Sequence, residues 1–370
     1  MNAKIFSRAV RGAVLPALIL VATAFFVFEG YVFRVQGECD APLPRLFGNF
    51  LRNREYLERQ PSKDTFAFAV VGDTRSNGTF EQICRELRAT PLDFAVLLGD
   101  CAQDANESDH RYFRAECADE YALPFPVFYV VGNHDVSPDR FPVARFEDCY
   151  GPSIFSFNYQ DCLFIVLRIL DEPGSNRESL DFLRKIAKER PQRFRKRFVF
   201  MHIPPAISPD VTAREYSEGG EVMDLFDKLQ IDYVFAGDFH GYGRTQRNRT
   251  NYIVTGGGGA HLNEKVSRRQ FHHAMVLRVR KDAVDERIIA MPRRVDFEDR
   301  LENLAVARLY PWMAAHKPLV WAINMLVGAA LFLAGTREIL LARTLRVRFR
   351  SNGLIAGNTN LNGCKRGAKA

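Results

Sequence analysis

Short apolar runs recur along the middle of the chain, and their composition is that of strands. TFAFAVV (65–71), DFAVLL (93–98), PVFYVV (126–131), CLFIVLR (162–168), RFVFM (197–201) and DYVFA (232–236) are rich in β-branched and aromatic residues and are bounded by turn formers. Several are separated by amphipathic helical patterns: Phe80, Ile83, Cys84 and Leu87 share one face at spacings of three and four, as do Leu180, Leu183 and Ile186. Strands alternating with helices predict an α/β layered domain. Three later runs, YIVT (252–255), AMVLRV (274–279) and ERIIAM (286–291), follow one another without long helices, which predicts antiparallel pairing in the second half.

Two longer apolar stretches lie near the ends. Residues 12–28 contain no charge and follow Lys4, Arg8 and Arg11; no small-residue cleavage site comes after them, so an uncleaved anchor is expected. Residues 318–335 are also uncharged, with Tyr310, Trp312 and Trp321 near one end and Arg337, Arg343, Arg346, Arg348 and Arg350 beyond. Basic flanks stay on the cytosolic side, so both termini are expected there, with residues 34–317 on the other face; in a bacterial inner membrane that face is the periplasm. The resulting division is an anchor at 1–33, a linker at 34–64, a catalytic domain at 65–295, a connecting segment at 296–317, a second transmembrane helix at 318–336 and a basic tail at 337–370.

The basic pI comes from those ends. Of the formal charge of +7, residues 1–11 carry +3 and residues 336–370 carry +7, which leaves −3 for residues 12–335. A mildly acidic middle gives no support to a polynucleotide-binding face, and no nucleic acid is expected as partner. Six of seven cysteines, Cys39, Cys84, Cys101, Cys117, Cys149 and Cys162, fall in the region expected to be exported, and Cys364 falls in the tail. An even number permits disulfides, and Cys101 with Cys117 and Cys149 with Cys162 are the expected pairs.

Polar residues follow five of the strands directly: Gly72-Asp73, Gly99-Asp100, Gly132-Asn133-His134-Asp135, His202, and Gly237-Asp238-Phe239-His240. Ligand sites in α/β sheets are built at the carboxyl ends of strands, so the five sets can converge on one edge. Asp, Asn and His offer oxygen and nitrogen donors suited to Mn, Fe or Zn at a catalytic site, not the thiolates of a closed structural zinc site. Each set follows a glycine, or nearly so, which is expected to let the backbone turn sharply at the strand end.

This run resembles the calcineurin-like metallophosphoesterase superfamily over about residues 65–260, most specifically in VVGNHD (130–135). The resemblance implies a four-layer α/β/β/α sandwich of two mixed sheets, here flanked by N- and C-terminal transmembrane helices, and two divalent metal ions. Carried over by position, it implies that Asp100 bridges both ions, that Asp73 and His240 bind the first, and that Asn133 and His202 bind the second. It also implies that His134 acts near the phosphate as proton donor or charge stabiliser, with Asp135 orienting its ring. Two positions depart from the family pattern. Arg75 stands where the first motif usually ends in His, and an always-protonated guanidinium cannot bind a metal; Asp104 is a candidate replacement ligand, and Arg75 a candidate clamp for substrate phosphate. Asp238 replaces the first His of the last motif and remains a metal-ligand candidate that favours harder ions.

The activity these residues imply is metal-dependent hydrolysis of a phosphate mono- or diester on a small-molecule or lipid-linked substrate. The alternatives are a nuclease or cyclic-nucleotide phosphodiesterase on the same core, or a membrane scaffold or sensor that lost turnover through Arg75 and Asp238. Gly256 to Gly259 is expected to be a turn passing close to the metal site; it lacks the Lys-Ser or Lys-Thr of a P-loop. His272 and His273 are expected to form a surface pair.

Overall fold

The computed structural model describes residues 3–358 apart from 39–41, 77, 173, 190–192, 208–215, 217, 263–268 and 293–296. Cys39, Cys364 and the last part of the basic tail lie outside the described residues. Eleven strands are described, β1 Phe66–Val71, β2 Phe94–Leu97, β3 Val127–Tyr129, β4 Phe155–Tyr159, β5 Cys162–Val166, β6 Lys196–Phe200, β7 Tyr233–Ala236, β8 Tyr242–Arg247, β9 Thr250–Thr255, β10 His273–Val279 and β11 Val284–Ala290. The helices are α1 Ala3–Glu38, α2 Leu51–Glu58, α3 Gly78–Arg88, α4 Glu107–Ala118, α5 Val143–Tyr150, α6 Arg177–Glu189, α7 Gly219–Lys228, α8 Phe297–Asn303, α9 Tyr310–Ala315 and α10 Lys317–Asn358, with a π-helical turn at Leu304–Leu309.

The strands form two mixed sheets, one in the order β11-β10-β1-β2-β3 and the other β4-β5-β6-β7-β9-β8. β1, β2 and β3 are parallel, as are β5, β6, β7 and β9, while β10 returns antiparallel beside β1 and carries β11 as a hairpin partner. Of the three late runs, the second and third pair antiparallel as expected. The first, β9, is antiparallel to β8 but parallel to β7, because the β8–β9 hairpin turns the chain round before it joins the sheet. β4 and β8 were not legible as apolar runs. In β4 buried Phe155, Phe157 and Tyr159 alternate with more exposed residues, and β8 (YGRTQR) is a largely polar edge strand.

Three cores account for the layering. Alternate side chains of β1, β2, β3 and β10 meet those of β4 to β7 in an aromatic interlayer, in which the Phe68 ring stacks on Phe94 at 4.9 Å and meets Phe198 edge-on at 5.3 Å. The outer face of the first sheet packs on α3, α4 and α5 through Ile83, Cys84, Leu87, Phe113 and Phe146. That of the second packs on α6 and α7 through Leu180, Leu183, Ile186, Val222 and Phe226. The result is the α/β/β/α sandwich.

The segment read as a linker, 34–64, is in part packed onto this domain. Phe47 is buried and forms a bridge with Val127, and the Asn49 side chain both donates to and accepts from the backbone of Tyr129. The five described cysteines are free thiols, which corrects the two expected disulfides. Cys101 follows β2 and Cys117 lies in α4, both in the core under the first sheet, while Cys162 opens β5 in the interlayer of the two sheets, away from the core against which Cys149 of α5 packs. An even number of cysteines carries no information about which of them meet in space.

Residues Val35–Leu309 form one compact unit, and Met1–Arg34 with Tyr310–Ala370 form another. In the second, Pro16–Val35 and Lys317–Arg337 are long and apolar enough to cross a membrane. Only 11% and 0% of their apolar windows are buried, so neither is the core helix of a globular domain, and the chain is membrane-associated. Within that unit Asn324 Nδ2 donates to Glu29 Oε1 at 2.9 Å, a polar tie between two apolar helices.

Candidate metal centre

All five polar sets sit at the carboxyl ends of β1, β2, β3, β6 and β7. Asp73, Asp100 and His202 are buried, and one ligand atom from each lies within 4.8 Å of the others. Asp73, Asp100 and Asp238 have φ of 57°, 53° and 63°, so the left-handed turns fall on the carboxylate residues themselves, where Asp is among the better-tolerated non-glycine types. This corrects the role expected for Gly72, Gly132 and Gly237, which is mainly to give room, whereas Gly99, with φ of 91°, does turn the backbone as expected. A Cβ on Gly99 would stand 2.7 Å from Gly132 N and 2.8 Å from His202 Nδ1, and one on Gly132 would run into the backbone N and Oδ1 of Asp100.

Both candidate histidine ligands are aimed by backbone carbonyls. His202 Nδ1 donates to Leu98 O at 2.7 Å and His240 Nδ1 to His261 O at 2.7 Å, which leaves each Nε2 toward the carboxylates. His202 Nε2 lies 3.0 Å from Asn133 Oδ1, 3.3 Å from Asp100 Oδ1 and 4.0 Å from Asp238 Oδ1. His240 Nε2 lies 3.5 Å from Asp73 Oδ1, and Asp73 Oδ2 accepts the Asp238 N–H at 3.1 Å. Asp73 Oδ1 is buried and accepts no hydrogen bond, the state of an oxygen shaped for a cation.

The electrostatics are those of a crowded anionic cavity. Burial, reinforced by the neighbouring Asp100 and Asp238, pushes the Asp73 carboxyl well above its ordinary range. Burial pushes Asp100 the same way, but His202 and Arg75 outweigh it and hold this group ionised to lower pH. Burial opposes protonation of His202, yet Asp100, Asp73 and Asp238 together raise its pKa to about 9. A positive charge is therefore favoured among these carboxylates.

Other expected residues have different partners from those read in the sequence. Asp135 does not hold the His134 ring: its two oxygens accept the backbone N–H groups of Asp100, Cys101, Ala102 and Gly132 at 2.8 to 3.1 Å, clamping the loop after β2 to the loop after β3. Asp104 pairs with Arg308 at 2.6 Å and not with the cluster. Arg75 Nη2 donates to Asp100 Oδ2 at 2.7 Å and Nη1 to Gln103 O at 2.9 Å. Gly256 does pass close to the site, since a Cβ there would meet Asp73 Oδ2 at 2.5 Å. His272 and His273 are buried, which corrects the surface pair; His273 Nε2 accepts from Thr255 Oγ1 at 2.9 Å. Two supports went unseen in the sequence: the carbonyl of His261, and His110, which donates to the Asp135 carbonyl at 2.8 Å.

Residues 66–242 match the family model described as calcineurin-like phosphoesterase. That domain belongs to the calcineurin-like metallophosphoesterase superfamily. No curated protein matches this metallophosphoesterase in sequence. Among solved structures it is similar to GAP50, the anchor in the inner membrane complex of Plasmodium, at 13% identity over 66% of this chain and 95% of that one, with a TM-score of 0.43. It is also similar to the purple acid phosphatase PPD1 of yellow lupin at 15% identity over 65% and 55%, TM-score 0.46. A dimetal phosphatase of Danio rerio matches at 12% identity over 62% and 98%, TM-score 0.44. In this metallophosphoesterase the cluster of Asp73, Asp100 and His202 gives the fold its metal-dependent hydrolase chemistry.

Proposed function

We propose that the chain is a membrane-anchored phosphoesterase that cleaves a phosphate mono- or diester with a divalent cation held at Asp73, Asp100 and His202. The observation that carries this reading is the buried carboxylate–imidazole cluster itself, with Asp73 Oδ1 accepting no hydrogen bond and both imidazoles aimed through their Nδ1 hydrogen bonds. The donor set fits Mn, Fe or Zn. Asp100, Asn133 and His202 would hold the ion from one side, with Asp73, Asp238 and His240 on the other. Bound there, it would polarise the phosphoryl group and activate water.

The chain's own side chains divide the remaining work. His134, half-buried on the Asn133 loop, is assigned as proton donor to the leaving oxygen or stabiliser of its charge, and its backbone N–H keeps Asp100 Oδ1 in place at 2.9 Å. Asp135 is a positioning residue that sets the distance between the Asp100 and Asn133 loops. Arg75 contributes a permanent positive charge beside the phosphate. The second ion expected from the sequence would have to share Asp100 with Arg75, whose Nη2 donates to Oδ2.

A small or lipid-linked phosphate is the substrate class, supported by the −3 charge of residues 12–335 and by the two apolar helices. The basic residues beyond the second span support cytosolic termini with the domain on the opposite face. The test is hydrolysis of p-nitrophenyl phosphate and its bis ester by the full-length protein in detergent with added Mn²⁺. Hydrolysis that a chelator abolishes and that Asn133→Ala lowers by about 100-fold is expected. No turnover of either ester would favour a scaffold or sensor, and strong preference for a polynucleotide or cyclic nucleotide would favour the second enzymatic reading.

A further inference from the structure

We infer that the centre holds one metal ion, with the Arg75 guanidinium occupying the place of a second; this rests on the metal-dependent reading above. Arg75 is tethered to Asp100 twice. Its backbone N–H donates to Asp100 O at 3.0 Å, and its Nη2 donates to Asp100 Oδ2 at 2.7 Å. Its own φ of 52° is an unfavoured backbone state for a long side chain, and that state directs the guanidinium inward, where the side chain is 11% exposed. Nη1 is anchored on Gln103 O, so the fork cannot swing away without giving up both bonds.

Asp100 is thereby divided. Oδ1 faces His202 Nε2 and the His134 N–H, while Oδ2 belongs to Arg75. A metal on Oδ2 would have to share that oxygen with a guanidinium already bound to it, two cations competing for one carboxylate atom. Charge leads to the same count. Asp73, Asp100 and Asp238 carry three negative charges when ionised, which one guanidinium and one divalent ion neutralise. A second divalent ion would leave the buried cluster positive beside a group that cannot lose its proton. The Arg75 guanidinium supplies a permanent positive charge beside Asp100, where a second ion would otherwise supply it.

The experiment is metal stoichiometry by elemental analysis of the full-length protein in detergent, loaded with Mn²⁺ and desalted, with electron paramagnetic resonance on the same samples. The wild type is expected to hold one ion per chain and to show the six-line signal of isolated Mn²⁺. Arg75→His is expected to hold two, with an exchange-coupled spectrum, whereas Arg75→Lys keeps the charge and is expected to stay at one. Two ions in the wild type, or one in a folded Arg75→His protein, would overturn the inference and leave the phosphoesterase proposal standing. No bound metal in any of the three would overturn both. Because the wild-type count alone can refute it, misfolding of a variant does not shield the inference.

Discussion

Asp100 makes bonds that no spacing rule contains: one oxygen to the His134 N–H, the other to Arg75, and its own N–H to Asp135. The site at the residue scale is therefore a mesh of backbone contacts around a few side chains, and its tolerances are tight. Gly132→Ala puts a methyl into Asp100 and is expected to lower metal affinity on the order of 10–100-fold, as loss of a supporting group does; titration calorimetry with Mn²⁺ checks it, and unchanged affinity would refute the close-approach account. His110 supplies a pH test. Burial depresses its pKa from the ordinary 6.5 to about 3, so it stays neutral in the fold while the unfolded chain takes up a proton. Stability should thus fall as pH drops from about 6.5 toward about 3, and His273, depressed to about 4 by burial, adds to the same limb. Urea unfolding at pH 7.5 and 5 should show a smaller acid loss for His110→Asn than for the wild type; an equal loss would mean that His110 is not the titrating group.

At the scale of elements, the aromatic interlayer sets the distance between the two sheets. Phe68 is fully buried and meets Phe94, Phe164 and Phe198, so Phe68→Ala is expected to cost about 3–5 kcal/mol in denaturant unfolding, the cost of a large buried ring. A loss under about 1 kcal/mol would show that the sheets can close over the cavity. The strands that carry the site were readable because they are buried on both faces and run as continuous apolar stretches; β1, β2, β3 and β7 are buried at every position. β8 was not readable, since an edge strand needs few apolar residues, and β4 was not because buried Phe155, Phe157 and Tyr159 alternate with more exposed positions, which breaks the continuous apolar run.

For the whole molecule, the two exposed apolar helices lie at opposite ends of the sequence and the catalytic domain lies between them. In sealed membranes of known orientation, protease added on the non-cytosolic side should digest residues 35–309 and spare tags at both termini. Protection of the domain from that side, with digestion of the tags, would reverse the proposed topology. Helix length and exposure carry the membrane association, and the arginines after the second span carry the proposed orientation.

The sequence by itself determined the layered α/β class, the strands that bear the site, six of its metal-ligand candidates and the two apolar anchors, because each depends on local periodicity or on a short contiguous motif. Only the tertiary structure decided what those residues touch. Asp135 lies next to His134 in the chain yet bonds the loop after β2; Asp104 looks like a spare ligand yet pairs with Arg308; Arg75 departs from the motif and proves to be fastened to Asp100. These partners are 25 to 204 residues apart, and a hydrogen bond depends on direction and distance in space, for which spacing along the chain is no guide.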